Sequence, residues 1–73
     1  MKDVIAERIA ESIPGSRVEV AVDGNRAVIT VISDHFTGMS RVQKHQAVYG
    51  CIESFIADGS LHAVSIKALT PTE

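Results

Sequence analysis

Three histidines and one cysteine are the side chains in this chain best suited to metal binding or covalent chemistry. His62 lies at the start of residues 61–69, a segment in which apolar and polar residues alternate as in a β-strand. His45 lies within a helical pattern, and His35 lies in the loop before it. A neutral imidazole can bind iron, so His62 is a candidate ligand. By periodicity alone, its position on the same side as Val64 favours a partly buried, hydrogen-bonded histidine over a ligand.

Cys51 is the only cysteine, which excludes an intramolecular disulfide and a metal cage made of cysteines alone. It lies in the same helical pattern as His45, without a nearby base in the sequence that would activate a thiol. A Cys–His nucleophile would also need a third, orienting group and an oxyanion site, and the sequence indicates neither. We therefore expect Cys51 to be a small helical side chain and the protein not to be an enzyme.

Arg41, Lys44 and Lys67 are candidates for a basic patch, in a chain whose formal net charge is -2. Arg41 and Lys44 are three residues apart on one side of a predicted helix, and Lys67 is on the polar face of the last predicted strand. Such a patch could contact phosphates, although a solvated surface is its commoner role. Glycines occur singly, so the chain has no GxxG loop like the one that clamps RNA in KH domains.

The elements that position these residues follow from periodicity. A first helix is predicted over Lys2–Ser12, because Ile5, Ile9 and Ile13 form one apolar stripe before Pro14. Residues 17–22 alternate as a strand with one buried face, and a turn at residues 23–25 leads into residues 27–32, AVITVI. This β-branched run predicts a strand that is central or covered on both faces.

A long helix is predicted over residues 40–57, with Ser40 as its N-cap and Phe36 anchoring the loop before it. Gly38 permits the tight entry into the helix, and Gly50 could divide the helix into two pieces. Its apolar side is predicted to contain Val42, Tyr49, Ile52, Phe55 and Ile56. His45 is expected at the edge of that side in a structural role.

The resulting order is α-β-β-α-(α)-β in a single domain spanning residues 1–73. A chain this short buries only about 60% of its unfolded surface, so it builds one core. We expect an α+β fold in which the helices pack on one face of a three-stranded sheet. A helical crossover can set the last strand parallel to another strand, but periodicity leaves the strand order open.

Two segments resemble the signature of the BolA family: residues 36–49, FTGMSRVQKHQAVY, and residues 61–71, LHAVSIKALTP. The α-β-β portion before them has the family's order and lengths. The sequence GMSRV at residues 38–42 is similar to the short, IbaG-type branch of the family. The resemblance implies a fold like that of the type II KH domain, without an enzyme active site.

The resemblance also implies a partner and a shared cofactor. BolA-like proteins work with monothiol glutaredoxins of the CGFS type, whose cysteine and glutathione hold a [2Fe-2S] cluster. The BolA-like protein contributes a histidine from the start of its last strand, and that position is His62 here. No cofactor is expected on the chain alone. We expect a monomer, or a weak homodimer formed through an open strand edge.

One feature of this chain departs from the family pattern. A second ligand in related proteins, histidine or cysteine, comes from the loop between the first two strands, where an ungapped comparison places Arg26. Arginine cannot ligate iron. Two possibilities follow: ligation through His62 alone beside the glutaredoxin's ligands, or a complex in which Arg26 makes an electrostatic contact near the anionic cluster. His35 has no ligating counterpart in the family and is expected on the surface, in the vicinity of the partner.

A second function, of a different class, is transcriptional regulation of stress or morphology genes. The family's KH-like architecture and regulatory roles imply DNA binding, for which Arg41, Lys44 and Lys67 are the candidates. The acidic net charge and the missing GxxG loop argue against it. Charged residues interrupt the N-terminal apolar positions, so we expect no signal peptide or membrane span and a cytoplasmic protein.

Overall fold

A computed structural model describes residues 2–72 of the chain. Its elements are α1 (Lys2–Ser12), β1 (Arg17–Asp23), β2 (Arg26–Ile32), α2 (Arg41–Ala57) and β3 (Ala63–Leu69), with a 3-10 turn at Asp34–Phe36. The predicted α+β order is confirmed. The second helix is continuous through Gly50, so the division that the sequence left open does not occur. No helix in the described part of the chain is long and apolar enough to cross a membrane.

The sheet has the strand order β1-β2-β3. A tight turn joins β1 to β2 as an antiparallel hairpin, and its Gly24 has a φ of 61°, which glycine adopts without strain. The crossover through α2 sets β3 parallel to β2, with Arg26 opposite Ala63 and Ile32 opposite Leu69. The AVITVI run is therefore the central strand, one of its two predicted settings.

The core lies on one face of this sheet, as predicted. Alternate residues of β2 meet the isoleucine stripe of α1 and the inner side of α2 in one cluster of buried side chains: Ile5, Ile9, Ile13, Ala27, Ile29, Val31, Phe36, Val48, Ile52 and Leu61. Phe36 is 1% exposed, which confirms that it anchors the loop before α2. No helix within residues 2–72 covers the opposite face, and Val28 at its centre is 55% exposed.

The predicted inner side of α2 is partly wrong. Val42 is 64% exposed and Tyr49 is 37% exposed. The residues that α2 turns to the core are Val48 and Ile52, with Ala47, Cys51, Phe55 and Ile56 partly buried beside them. Ile52, Phe55 and Ile56 belong to both faces, but the small residues Ala47 and Cys51 were overlooked in favour of the larger Val42 and Tyr49, so the predicted face is rotated from the observed one.

The side chain of Arg8 makes two contacts between the helices. The guanidinium of Arg8 in α1 donates a hydrogen bond of 2.7 Å to Oγ of Ser54 in α2 and lies 4.7 Å from the centroid of the Phe55 ring. A cation over an aromatic face adds attraction to the hydrogen bond. These contacts add to the packing of α1 and α2 through the shared core.

Ser40 caps α2 in a reciprocal pair with Gln43, and replacing it tests the predicted cap. The Ser40 hydroxyl accepts from the Gln43 N–H at 3.2 Å, and the Gln43 side-chain oxygen accepts from the Ser40 N–H at 2.9 Å. Ser40→Ala should lower the free energy of unfolding by about 1 kcal/mol in equilibrium urea denaturation. Ser12→Ala, at an exposed helical serine, is the matched control, and an equal loss in both variants would contradict the capping role.

Gly50 gives a prediction of the opposite sign. It lies in the interior of α2, and a Cβ added there would meet no atom within 4 Å. Gly50→Ala should therefore raise the free energy of unfolding by roughly 0.5–1 kcal/mol, because alanine loses less conformational entropy in a helix. Gly59→Ala is the control. Gly59 has a φ of 82°, which an alanine adopts only under strain, so this variant should be less stable than wild type. A less stable Gly50→Ala protein would disprove the prediction.

Candidate functional site

The β1–β2 turn and the start of β3 meet at one end of the sheet, and this end carries His62. The backbone N–H of His62 donates to the carbonyl oxygen of Asn25 at 2.8 Å, and the N–H of Ala63 reaches the same oxygen at 3.4 Å. The turn thus holds the backbone of His62 while its side chain is exposed. The histidine stands at a fixed position on the rim of the fold.

The segment between α2 and His62 is also tied down. Leu61 is buried, and its N–H donates to the Phe55 carbonyl oxygen at 3.0 Å. Hydrogen bonds from Ser60, one of them from its N–H at 2.8 Å, hold the pKa of the Asp58 carboxyl below its usual value. This ordered turn delivers the chain from the helix to His62.

The structure corrects the expected surroundings of His62. The strand was predicted to begin at residue 61, but β3 begins at Ala63. His62 therefore lies just outside the strand. The half-buried setting that the alternation with Val64 indicated is therefore wrong, because the chain bends at His62 before the pleated strand begins. Exposure of this kind leaves the imidazole accessible to another molecule.

Arg26 lies at the same end of the sheet. It is the first residue of β2, is exposed, and is paired with Asp23 on one side and with Ala63 on the other. Adjacent strands lie about 4.8 Å apart, so the backbone of Arg26 is close to that of His62. The fold therefore places the backbone of the candidate ligand beside that of the arginine at the expected position of a second ligand.

His35 is not part of this end. The 3-10 turn that carries it follows the last residue of β2, whereas His62 is beside the first. Seven residues of strand separate the two ends, a length of roughly 20 Å. His35 is exposed, and its N–H donates to the Ser33 hydroxyl at 3.1 Å. His35 is therefore far from His62. The expected contact between His35 and a partner stays a prediction.

Metal-binding side chains are not clustered in the described part of the chain. Among residues 2–72, no three His, Cys, Asp or Glu side chains are close enough together to do so. One exposed imidazole can complete a metal centre whose remaining ligands come from another molecule.

The basic residues form a second surface, at the other end of β3. Arg41 and Lys44 of α2 face Lys67 of β3 across a concavity of about 370 Å³. We call this surface the β3 edge groove, and its lining comprises Arg41, Lys44, His45, Ile66, Lys67, Ala68 and Leu69. The three residues proposed from sequence for DNA binding are therefore brought together, although they are separated in the sequence.

The remaining histidine and the cysteine have ordinary settings. His45 is exposed rather than at the edge of the buried side, and its ring stacks on Tyr49 with centroids 6.4 Å apart. The Cys51 thiol is half-buried and donates to the Ala47 carbonyl oxygen at 3.3 Å. It packs against the core as a small helical side chain, as expected.

Two contributors were missed by the sequence reasoning. Asn25 holds the backbone of His62, and the strand backbone of Ile66 and Ala68 lines the β3 edge groove. Both contributions depend on which strands are neighbours. Asn25 had a turn signal but no signal for its contact with β3, since that contact joins residues far apart in the sequence.

Comparison with known proteins agrees with this architecture. The family model described as BolA-like protein matches residues 16–73. The chain is 50% identical over 56 residues to the acid stress protein IbaG of Escherichia coli, an alignment that spans 77% of this chain and 67% of that protein.

Solved structures give the same result for the fold. BolA1 from Arabidopsis thaliana superposes with a TM-score of 0.86 at 25% identity, covering 99% of this chain and 93% of that one. The BolA domain of SufE1 from the same plant superposes with a TM-score of 0.83 at 28% identity, covering 93% and 88%. The chain belongs to the BolA-like protein family.

Proposed function

We propose that this BolA-like protein is a non-enzymatic partner of a monothiol glutaredoxin and contributes His62 to a [2Fe-2S] cluster that the glutaredoxin and glutathione carry. The observation that supports this proposal is the exposed imidazole at a fixed position on the rim of the sheet. Its backbone is held by the Asn25 carbonyl oxygen, so binding would order only the side chain.

The number of ligands that a cluster needs also supports sharing between two proteins. A [2Fe-2S] cluster takes four protein ligands, usually cysteine thiolates, and imidazole can replace a thiolate. At this end of the sheet, the described residues offer the exposed imidazole of His62, and within residues 2–72 no group of three metal-binding side chains surrounds it. The other ligands must therefore come from the partner. Replacing a thiolate with a neutral nitrogen ligand changes the net charge and the reduction potential of the cluster, which gives this chain a means of tuning it.

Arg26 supplies the electrostatic part of the proposal. A cluster held by thiolates is anionic, and Arg26 places a permanent positive charge at the same end of the sheet as His62. The side chain is exposed, so its contribution is modest and depends on salt. Of the two possibilities left by the sequence, we favour ligation by His62 with Arg26 as an electrostatic neighbour.

Replacement of His62 tests the ligand directly. Addition of the wild-type protein to a cluster-loaded monothiol glutaredoxin under anaerobic conditions should change the visible circular dichroism of the cluster. His62→Ala should abolish that change, because no imidazole remains to bind iron. The hydrogen bond to Asn25 uses the His62 backbone, so the variant should keep its fold and its thermal midpoint.

His35→Ala is the matched control, since it removes an exposed histidine from the opposite end of the sheet. It should behave like wild type. If the wild-type protein leaves the spectrum unchanged and forms no complex on a sizing column, the proposed partnership is wrong. If His62→Ala reproduces the wild-type spectrum, the partnership survives but His62 is not the ligand.

Replacement of Arg26 tests the electrostatic contact. Arg26→Ala should weaken the complex with the cluster-loaded glutaredoxin by up to about fivefold at low salt, since an exposed charge pair contributes less than about 1 kcal/mol. The difference should disappear at high salt, and Arg26→Lys should retain most of the affinity. Titration by isothermal calorimetry measures both. A loss that is independent of salt and shared by Arg26→Lys would point to shape rather than charge.

A further inference from the structure

The outer edge of β3 is the feature of this fold that the proposed function leaves unused. Within residues 2–72, β3 pairs only with β2, so its other edge has no neighbouring strand. Unpaired strand edges are templates for the addition of another strand. The β3 edge groove runs along the part of this edge that is next to the beginning of α2.

The hydrogen bonds of β3 show which residues direct their backbone groups outward. The N–H of Ala63 donates to the Asn25 carbonyl oxygen at 3.4 Å, and the carbonyl oxygen of Leu69 accepts from the Ser33 N–H at 3.0 Å. Both odd-numbered residues therefore face β2. Because the backbone direction alternates along a strand, Ile66 and Ala68 point their N–H and C=O groups to the outer edge.

The positive charge of the groove indicates that an added strand would carry acidic side chains. Arg41 and Lys67 stand on either side of this edge, and the lining of the β3 edge groove within residues 2–72 contains no Asp or Glu. This local positive charge occurs on a chain with a net charge of -2. A negatively charged segment is thus attracted to the groove in preference to the rest of the surface.

We propose that the β3 edge groove binds an extended acidic segment of a protein partner, which adds to β3 as a fourth strand. The main chain of the segment bonds to Ile66 and Ala68, and its acidic side chains meet Arg41 and Lys67. Main-chain bonds provide affinity and side-chain charge provides selectivity, as in other cases of strand addition. This inference uses neither His62 nor Arg26, so it stands independently of the function proposed above.

A peptide fits the groove better than a nucleic acid does. The outward N–H and C=O groups of a strand alternate as donor and acceptor, which matches another peptide backbone and not a row of phosphates. The acidic net charge opposes the approach of a long polyanion. No GxxG backbone clamp is present in the sequence.

A second copy of this chain is a poorer occupant. Two β3 edges related by a two-fold axis would bring the groove of one copy against the same groove of the other. Arg41 and Lys67 of both copies would then lie close together, and like charges across paired strands are destabilising. An acidic partner removes this repulsion.

The test uses two synthetic octapeptides, one of alternating valine and glutamate and one of alternating valine and lysine. Amide hydrogen exchange of the full chain is followed by NMR with each peptide. The glutamate peptide should slow exchange at Ile66 and Ala68 and leave Lys67, whose N–H already faces β2, unchanged. The lysine peptide should have no effect. Binding without this alternation, or equal binding of both peptides, would overturn the proposal.

Charge reversal provides the second arm. The double variant Arg41→Glu/Lys67→Glu should bind the glutamate peptide roughly tenfold more weakly, the equivalent of two exposed ion pairs. Arg17→Glu, on the opposite edge strand, is the control and should bind as wild type does; far-ultraviolet circular dichroism verifies that each variant is folded. If the double variant binds the glutamate peptide as tightly as wild type does, Arg41 and Lys67 do not provide the proposed attraction and the proposal is wrong.

Two competing occupants are tested in the same experiment. If a 20-base-pair DNA duplex binds the groove and the glutamate peptide does not, the occupant is a nucleic acid and the proposal fails. If Ile66 and Ala68 are already protected in the protein alone, and more so at higher protein concentration, the edge is occupied by a second copy and the proposal also fails.

Discussion

The parallel pairing of β2 with β3 is the interaction on which both surfaces of this protein depend. It places Ala63 beside Arg26 at one end and Leu69 beside Ile32 at the other. The first juxtaposition puts His62 against the β1–β2 turn, and the second puts the end of β3 under the beginning of α2. This pairing is possible because α2 is long enough to return the chain to the same end of the sheet.

Much of the fold was predictable from local patterns. The isoleucine stripe of α1 and the alternation in β1 and β3 each carry a period that only one type of element satisfies, and the β-branched residues of β2 favour a strand. The inner face of α2 was harder to predict. Ala47 and Cys51 pack against the core but have little apolar area, whereas the larger Val42 and Tyr49 remain exposed. Size and hydropathy therefore indicated a slightly rotated face.

The candidate site could be predicted only in part. The resemblance indicated His62 and Arg26, and the sequence carried the charges of Arg41, Lys44 and Lys67. The sequence carried no signal for strand order, so it could not show that Arg26 belongs with His62 and that His35 lies at the far end. The outward direction of Ile66 and Ala68 is equally a property of pairing, because register decides which backbone groups are already satisfied.

The opposite positions of the two surfaces along β3 have a thermodynamic consequence. His62, which comes directly before β3, and Lys67 are five residues apart, which is roughly 16 Å of extended chain. Coupling between distant sites requires an element with two alternative arrangements that both ligands bias. The ladder is bonded along its whole length to the central strand and is a stiff connection, so we expect occupancy of one proposed surface to leave affinity at the other unchanged. If both proposals hold, the molecule would act as a rigid tether that raises the effective concentration of one bound species near another, rather than as a switch between them.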